Sequence, residues 1–346
     1  MYSEPGRMVK EYSARLGKIT SEQFQSALAR FGLGDFIRAE AVPFGLFGQN
    51  VFITSTQGEF VLRGVPHYPW QFPTEQFFVE QLYHRTHVPV PYPYWVEPAT
   101  DIFGWSFVIM PCLPGIPLSD KAMVGAFLNE DRLAIARALA RTLAEVHSLT
   151  WDCSGKYDSE TQRVQPFDGG YSSWVVERIR EKISRARSYN LHTTTSDSDW
   201  VETIIDACAD VLTEPDPSCV VLGDYGEHNV VVERIPDGWR VSGVFDLMTA
   251  HFGDGNADLC MPVAGYLKAN PALADEFIQE YLRFRPAKPS FAERQRVYTL
   301  GLYASMWEYW QRAQGGPPES TDACFKQWAG PFVDFWTDFP NHTITP

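Results

Sequence analysis

The chain has 346 residues, of which 45% are hydrophobic and 14% aromatic, and a formal net charge of −14. This composition excludes a largely disordered chain, because disorder requires low hydrophobicity, and the length suits two lobes better than one small core. The negative charge argues against nucleic acid as a partner, because phosphate backbones bind clusters of Lys and Arg. It is compatible with a cationic substrate.

The cysteine pattern and the lack of long apolar segments indicate the cellular compartment in which the protein functions. The six cysteines are scattered without a C-x-x-C pair, so neither a zinc site nor a disulfide framework is indicated. Residues 1–18 contain no apolar segment, and no run of about 18 apolar residues occurs elsewhere. We therefore expect a cytoplasmic protein with no membrane partner.

The first predicted elements are a helix and a set of strands. Helical spacing over residues 21–31 predicts a helix that packs on a first lobe. Residues 41–64 predict a strand, a loop that contains Gly45 and Gly48, and two strands around Gln57-Gly58. Glycines let backbone amides approach a ligand, so this loop is a candidate phosphate cradle, with a plain hairpin as the alternative.

A helix from Pro73 to about His84 follows, since proline is favoured in a first helical turn. Residues 88–95 (VPVPYPYW) are too rich in proline for a helix and predict a rigid extended connector. Residues 105–110 predict a buried strand, which PCLPG at 111–115 interrupts. We interpret this break as the hinge between an N-terminal lobe, residues 1–112, and a C-terminal lobe, residues 113–346; an interdomain linker without ligand contacts is the alternative.

The C-terminal lobe is predicted to be mainly helical. The apolar spacing predicts helices at 129–149, 171–189, 198–212, 271–284 and 290–314. The basic residues of the second of these helices are interpreted as a solvated face that balances an acidic protein. No P-loop pattern G-x-x-x-x-G-K occurs, so any phosphate chemistry is not of the Walker type.

The chemically informative stretch is residues 220–254. Its two β-branched runs flank Pro236-Asp237-Gly238, which predicts a β-hairpin that turns at Asp237-Gly238. In that register Asn229 lies directly opposite Asp246, with their Cβ atoms about 4.5 to 5.5 Å apart. An amide oxygen and a carboxylate so placed could bind one Mg²⁺ together with phosphate and water.

Asp224 supplies a second carboxylate in the loop that precedes this hairpin. One acid could therefore hold the ion while the other orients a nucleophile. Asp, Asn and Gly are also common in turns for conformational reasons, so an ordinary surface hairpin is the alternative.

These residues resemble the catalytic signature of aminoglycoside phosphotransferases and related small-molecule kinases. Leu222-Gly223-Asp224 and Asn229 are similar to the family pattern H-G-D-x-x-x-x-N, with Leu222 in place of the usual His. Val244-Phe245-Asp246, followed by Gly253-Asp254, is similar to the metal-binding segment. The resemblance implies an α+β, protein-kinase-like fold with a small antiparallel-sheet N-lobe and a larger, mainly helical C-lobe. We expect Leu222 to alter packing and not chemistry.

The resemblance also implies a role for each matching residue. Asp224 would be the catalytic base, and Asn229 and Asp246 would bind Mg²⁺. Nucleotide binding is assigned to a larger set, namely Gly45, Gly48, Asn50, Arg63, Glu75, Met110, Cys112 and Leu113.

Two of these assignments carry alternatives. Arg63 would bind the nucleotide phosphates, at a position where the family most often has Lys. Glu75 would pair with Arg63, with Glu80 as the alternative partner. At the hinge Pro111 has no N–H group, so Cys112 or Leu113 would donate to the adenine.

The implied reaction is Mg²⁺-dependent transfer of the γ-phosphate of ATP or GTP to a hydroxyl of a small molecule. The acidic composition favours an aminoglycoside-type antibiotic; macrolides, choline, homoserine and sugars are alternative acceptors, and a nucleotide-binding protein without catalysis is a further alternative. Glu227 and Asp258 could face a cationic substrate, although Asp258 also matches a helix-capping position. The sequence does not decide the acceptor, the nucleotide, or between a monomer and a homodimer.

Overall fold

The computed structural model describes residues 9–42, 48–189, 192–215, 217–314 and 322–342. Gly45 of the predicted phosphate loop lies outside these residues. The first part of the chain forms β1 (Val9–Ser13), β2 (Gly17–Thr20), α1 (Ser21–Arg30), β3 (Phe36–Ala41), β4 (Asn50–Ser55), β5 (Gly58–Gly64), α2 (Gln71–Arg85), β6 (Trp95–Glu97) and β7 (Phe107–Pro111).

The centre of this part is a five-stranded antiparallel sheet in the order β3-β4-β5-β7-β6. Helix α1 begins with a capping box between Thr20 and Gln23, and its buried Phe24 packs with Leu62 of β5 on one face of the sheet. The opposite face packs against α2, through Met110 and Val79 among others. The predictions of a helix at 21–31 and of strands around Gln57-Gly58 are confirmed.

The second part of the chain forms β8 (Ile116–Pro117), α3 (Lys121–Gly125), α4 (Asn129–Val146), β9 (Thr150–Trp151), β10 (Gly155–Asp158), β11 (Arg163–Pro166), α5 (Gly170–Tyr189), α6 (Thr195–Ala207), β12 (Ser218–Val221), β13 (Val230–Ile235), β14 (Gly238–Val244), β15 (His251–Gly253), α7 (Cys260–Ala269), α8 (Pro271–Phe284), α9 (Phe291–Gln314) and α10 (Phe325–His342). Helices therefore dominate this part, as predicted.

Two hydrophobic cores support the second part. One extends from α2 through α4 and α8 and includes Leu139 and Phe277; the other joins α5, α6, α9 and α10 around Trp307. Strand β12 lies between β15 and β9 in the order β11-β10-β15-β12-β9, and β14-β13-β8 forms a separate sheet. The predicted α+β, protein-kinase-like class is confirmed. In the described ranges, no helix is both long and apolar enough to span a membrane.

The register of the β13–β14 hairpin differs from the prediction. Ile235 pairs with Gly238, so the two-residue loop is Pro236-Asp237 and not Asp237-Gly238. Proline is favoured at the second position of a turn and glycine at the fourth, which explains the shift.

A second irregularity moves the pairing by one residue. Val232 pairs with Val241 but Val231 pairs with Gly243, which leaves Ser242 as a bulge. Asn229 consequently faces Phe245, whose N–H donates to the Asn229 carbonyl oxygen at 3.2 Å. The prediction that Asn229 lies directly opposite Asp246 is wrong, and Asp246 instead follows the last ladder pair.

The bulge is also where the hinge attaches. The Ser242 hydroxyl donates to the Pro114 carbonyl oxygen at 2.5 Å. Gly115 has a φ of +114° and lies so close to β13 that a Cβ there would be 2.5 Å from the Val232 carbonyl oxygen. The hinge therefore packs directly on the hairpin that carries the predicted metal ligands. A lobe boundary at residues 112 and 113 stays a prediction.

Candidate active site

A buried ion pair lies at the centre of the site. Arg63 on β5 is 5% exposed and Glu75 on α2 is 1% exposed. Arg63 Nη1 lies 2.8 Å from both carboxylate oxygens of Glu75. The Tyr94 hydroxyl and the Gln71 side-chain amide also donate to Glu75. Glu75, and not Glu80, is thus the partner of Arg63.

Arg63 also connects the glycine-containing loop to the segment after β14. Its Nε donates to the Asn50 side-chain oxygen at 3.0 Å, and its Nη1 lies 3.3 Å from Asp246 Oδ1. Burial lowers the pKa of Arg63, but Asp246 and Glu75 raise it by more, so the guanidinium stays charged. Asp246 has a φ of +63°, an uncommon conformation that Asp tolerates better than most residues.

The loop after β12 presents Asp224. The Asn229 amide nitrogen donates to the Asp224 carbonyl oxygen at 3.0 Å and to its Oδ2 at 3.2 Å. His228 Nε2 lies 3.1 Å from Asp224 Oδ1. This hydrogen bond raises the pKa of His228, although burial lowers it. Both oxygens of a half-buried carboxylate are therefore oriented before any substrate binds.

Asp258 is buried, and it supports this loop through hydrogen bonds from the loop's backbone. Its two oxygens accept hydrogen bonds from the Leu222 N–H at 2.6 Å and the Gly223 N–H at 2.7 Å. The buried His147 lies 3.2 Å from the same carboxylate. The side chain of Asp258 is 1% exposed. The prediction that it contacts substrate is therefore wrong.

Asp258 is not a helix cap either. The residue that precedes α7 is Leu259, and the carboxylate that caps the 3-10 turn before this helix is that of Asp254. Asp254 also binds Arg294 at 2.8 Å and the Tyr298 hydroxyl at 2.9 Å. The Gly253-Asp254 motif thus has a structural role.

Residues 39–294 match the phosphotransferase enzyme family. This range contains every site residue that the sequence predicts. The chain belongs to this family. The predicted resemblance is confirmed, and the protein is a small-molecule phosphotransferase that acts on a hydroxyl group. No match was found among curated proteins.

Solved structures share the fold of this phosphotransferase. A protein proposed to be an aminoglycoside phosphotransferase, from Ralstonia eutropha JMP134, aligns with a TM-score of 0.63 and 17% identity over 94% of this chain and 99% of its own. A protein proposed to be a fructosamine-3-kinase, from Haemophilus somnus 129PT, gives 0.59 and 15% over 91% and 97%. The GDP and kanamycin complex of APH(2″)-IIIa gives 0.58 and 13% over 93% and 99%.

The donor set of the phosphotransferase fits a magnesium ion. Because the Asn229 amide nitrogen is bound to Asp224, the amide oxygen is the atom available to a cation. The Asp246 side chain is 34% exposed and only one of its oxygens contacts Arg63. In the described ranges no cluster of three or more His, Cys, Asp or Glu could hold a metal. A cation here would rely on Asn229, Asp246 and phosphate oxygens, as Mg²⁺ often does.

The hinge offers fewer donors than predicted. The Cys112 N–H donates to the Glu59 carbonyl oxygen at 3.0 Å and extends the β5–β7 ladder by one bond. Cys112 is therefore not a free donor for a nucleotide base, and Leu113 is the remaining candidate. Met110 is 6% exposed and packs in the hydrophobic core.

Glu227 lies in the 3-10 turn 227–229, directly before His228. Burial raises the pKa of its carboxyl group, while Arg132 and His228 lower it. A substrate contact at Glu227 stays a prediction. Gly48, the described glycine of the predicted cradle, has a φ of +59°.

Sequence reasoning missed two residues of the phosphotransferase site. Tyr94, which bonds to Glu75, lies in the proline-rich connector, and nothing in that pattern indicates a hydrogen bond to a carboxylate. His228, which bonds to Asp224, lies in the 3-10 turn 227–229, and because no helix spans 224–228 the spacing of the two residues does not indicate the contact. The buried His147 contacts Tyr281 and Asp258 and has a structural role.

Proposed function

We propose that the protein transfers the γ-phosphate of ATP or GTP to a hydroxyl group of an aminoglycoside-type antibiotic in a Mg²⁺-dependent reaction. One observation carries this proposal. Asp224 is hydrogen-bonded to Asn229, the Asn229 carbonyl oxygen accepts from the Phe245 N–H, and the adjacent Asp246 contacts the buried Arg63. This is the set that phosphoryl transfer needs, since positioning and charge neutralisation supply most of its catalysis.

In this mechanism Asp224 orients the acceptor hydroxyl and accepts its proton. As the hydroxyl oxygen bonds to the γ-phosphorus, the bond to the β,γ-bridging oxygen breaks and the nucleoside diphosphate leaves. Arg63 stabilises the phosphate charge, and its bonds to Glu75 and Asn50 keep the guanidinium fixed.

Asn229 and Asp246 would hold Mg²⁺. When bound, the ion neutralises charge on the phosphate oxygens. The Asn229–Asp224 hydrogen bond means that the metal ligand and the base are positioned by one another.

The aminoglycoside acceptor is supported by two facts. The chain carries a net charge of −14, which favours a cationic ligand. Two proteins of the same fold are described as an aminoglycoside phosphotransferase and as a kanamycin complex. A sugar-type acceptor is the second candidate, because a protein of this fold is described as a fructosamine-3-kinase.

The proposal is tested by exchanging Asp224 for alanine. We expect Asp224→Ala to lower kcat by about a hundredfold or more, the range of general-base catalysis. Nucleotide affinity should change by less than about threefold, a difference below 1 kcal/mol. The control is Asp237→Ala, which removes an exposed carboxylate from the distal turn of the adjacent hairpin and should leave kcat unchanged.

The acceptor is tested with a panel of aminoglycosides, macrolides, choline, homoserine and reducing sugars, with ATP or GTP consumption as the readout. Turnover with an aminoglycoside would support the proposal. Turnover with another class alone would replace the acceptor. Mg²⁺-dependent nucleotide binding without turnover, unchanged in Asp224→Ala, would instead indicate a nucleotide-binding protein without catalysis.

A further inference from the structure

The β1–β2 hairpin lies before the residues that match the family, yet it packs against the end of the candidate phosphate loop. The Ser13 hydroxyl donates to the Gly48 carbonyl oxygen at 2.5 Å. A Cβ at Gly48 would lie 3.0 Å from Ser13 Cβ and 4.0 Å from Arg15 Cβ. Leu16 and Ile19 are buried in the core of the sheet, which fixes the hairpin in place.

Arg15 at the turn of this hairpin binds the peptide that follows Arg63 and Gly64. Its Nε donates to the Val65 carbonyl oxygen at 3.0 Å, and the Gln49 side-chain amide donates to the same oxygen at 2.6 Å. Val65 has a φ of +50°, which is an outlier for a β-branched residue. Such strain persists only where surrounding contacts impose it, and it is concentrated at functional sites.

The Nη1 atom of the Arg15 guanidinium contacts an imidazole. Its Nη1 lies 3.1 and 3.3 Å from the two ring nitrogens of His67. Burial, and after it Arg15, lowers the pKa of His67, while Asp246 raises it and Arg63 lowers it. Arg15, Asp246 and Arg63 are therefore all close enough to His67 to affect the pKa of its imidazole.

Arg15 differs from Arg63 in its charge balance. Arg63 has two carboxylate partners, Glu75 and Asp246. Arg15 forms no ion pair with a carboxylate in the described ranges, and its hydrogen-bond partners there are a carbonyl oxygen and an imidazole. Its positive charge is thus available to an external anion beside Gly48, at the end of the candidate phosphate loop.

We propose that Arg15 is a second phosphate-binding cation of the nucleotide site, contributed by the β1–β2 hairpin. The proposal rests on the proposed function, because the anion is the phosphate chain of the nucleotide. A guanidinium presents a planar fork of donors that matches phosphate oxygens. Its bonds to Val65 and His67 hold that fork in one orientation before the nucleotide arrives.

The test compares the affinities of a nucleoside, its diphosphate and its triphosphate, with Mg²⁺, by calorimetry on the full chain. We expect Arg15→Ala to weaken triphosphate binding about tenfold, or 1.4 kcal/mol, and nucleoside binding by less than about twofold. Arg15→Lys keeps the charge and should recover part of the triphosphate affinity. The charge control is Lys18→Ala, which removes a cation from the same hairpin at an exposed position.

A further variant separates phosphate binding from support of the strained peptide. Gln49→Met removes the other donor to Val65 but keeps Arg15, so its triphosphate affinity should exceed that of Arg15→Ala. An equal triphosphate-selective loss in Gln49→Met would overturn the proposal, since the effect would then act through Val65. A loss in Arg15→Ala that is equal for nucleoside and triphosphate, or no loss, would also overturn it.

The wild-type protein reports separately on the proposed function. If it binds neither ATP nor GTP with Mg²⁺, the kinase assignment fails and the role of Arg15 fails with it. If it binds one of them and only the variant results disagree, the kinase assignment stands and the role of Arg15 alone is overturned.

Discussion

Arg63 shows what a single buried cation requires. A guanidinium that is 5% exposed is stable only when opposite charge and hydrogen-bond acceptors surround it. Glu75, Asp246 and Asn50 supply these from three different elements. The same contacts that permit burial also hold the guanidinium beside Asp246, so stability and the proposed function depend on one set of bonds.

This dependence can be tested with Glu75→Gln. The substitution keeps a side chain of the same size but removes the charge that balances Arg63, so we expect the free energy of unfolding to fall by about 3 kcal/mol, as for other broken buried pairs. Phosphotransfer should fall as well, because Arg63 would lose its fixed orientation. Urea unfolding and steady-state kinetics measure the two effects.

The control for Glu75→Gln is Asp101→Asn, which breaks the exposed pair between Arg30 and Asp101. Exposed pairs contribute about 1 kcal/mol at most, so this variant should remain close to the wild-type protein. Equal losses in the two variants would contradict the view that burial gives the Arg63–Glu75 pair its importance.

At the scale of elements, helix α2 connects the two parts of the molecule. Phe77 lies two positions after Glu75, and its ring stacks on Tyr157 of β10 with 3.8 Å between centroids and 6° between planes. Phe77 also contacts the rings of Trp151 and Phe252. An aromatic contact between α2 and the second part of the chain therefore supports the position of Glu75.

We expect Tyr157→Ala to weaken this support and to lower kcat/KM for the nucleotide by up to about tenfold, since an aromatic pair contributes about 0.5 to 1.5 kcal/mol. Tyr157→Phe keeps the ring and should restore the wild-type value. Steady-state kinetics with varied nucleotide concentration measure the effect.

Tyr83→Ala is the matched control for that measurement. It removes a stack with the same centroid distance of 3.8 Å, between Tyr83 and Tyr92, at the other end of α2. A loss of kcat/KM as large as that of Tyr157→Ala would show that any aromatic contact of this helix has the same effect, and would contradict a specific role for Phe77.

The same elements show how far sequence could predict this protein. Spacing and turn residues were sufficient for helix α1, strands β4 and β5, and the β13–β14 hairpin, because each is determined by local periodicity. The register of that hairpin was predicted wrongly because the turn lies at Pro236-Asp237, which local turn preferences could have indicated. The bulge at Ser242, which bonds to Pro114 of the distant hinge, moves the pairing by one residue and could not have been predicted locally. The hydrogen bond from the Cys112 N–H to the Glu59 carbonyl oxygen likewise joins residues that are far apart in the chain. The same is true of the hydrogen bond that Asp258 accepts from the loop that carries Asp224. No local pattern indicates either contact.

At the scale of the whole molecule, buried polar groups support the loop that carries Asp224, the candidate catalytic base. Thr249 donates to the Leu222 carbonyl oxygen at 2.8 Å, and His251 Nδ1 lies 3.1 Å from the Thr249 carbonyl oxygen. His251 pairs with Val221 across β12 and β15 and is 7% exposed. Stability of the fold and integrity of the loop are therefore linked to the ionisation of one imidazole.

Burial lowers the pKa of His251 from 6.5 to about 4. Between these values the unfolded chain binds a proton that the folded protein does not, so the free energy of unfolding falls as the pH falls, by up to about 1.4 kcal/mol per pH unit. Above the unfolded pKa this contribution to stability is fully present.

We expect His251→Asn, whose side-chain amide could still donate to Thr249, to flatten the pH dependence of the free energy of unfolding from about pH 7 to about pH 4.5. Urea unfolding across this range measures both curves, with the fully exposed His87→Asn as the control. Parallel curves for the wild-type protein and His251→Asn would show that His251 does not stay neutral in the folded state.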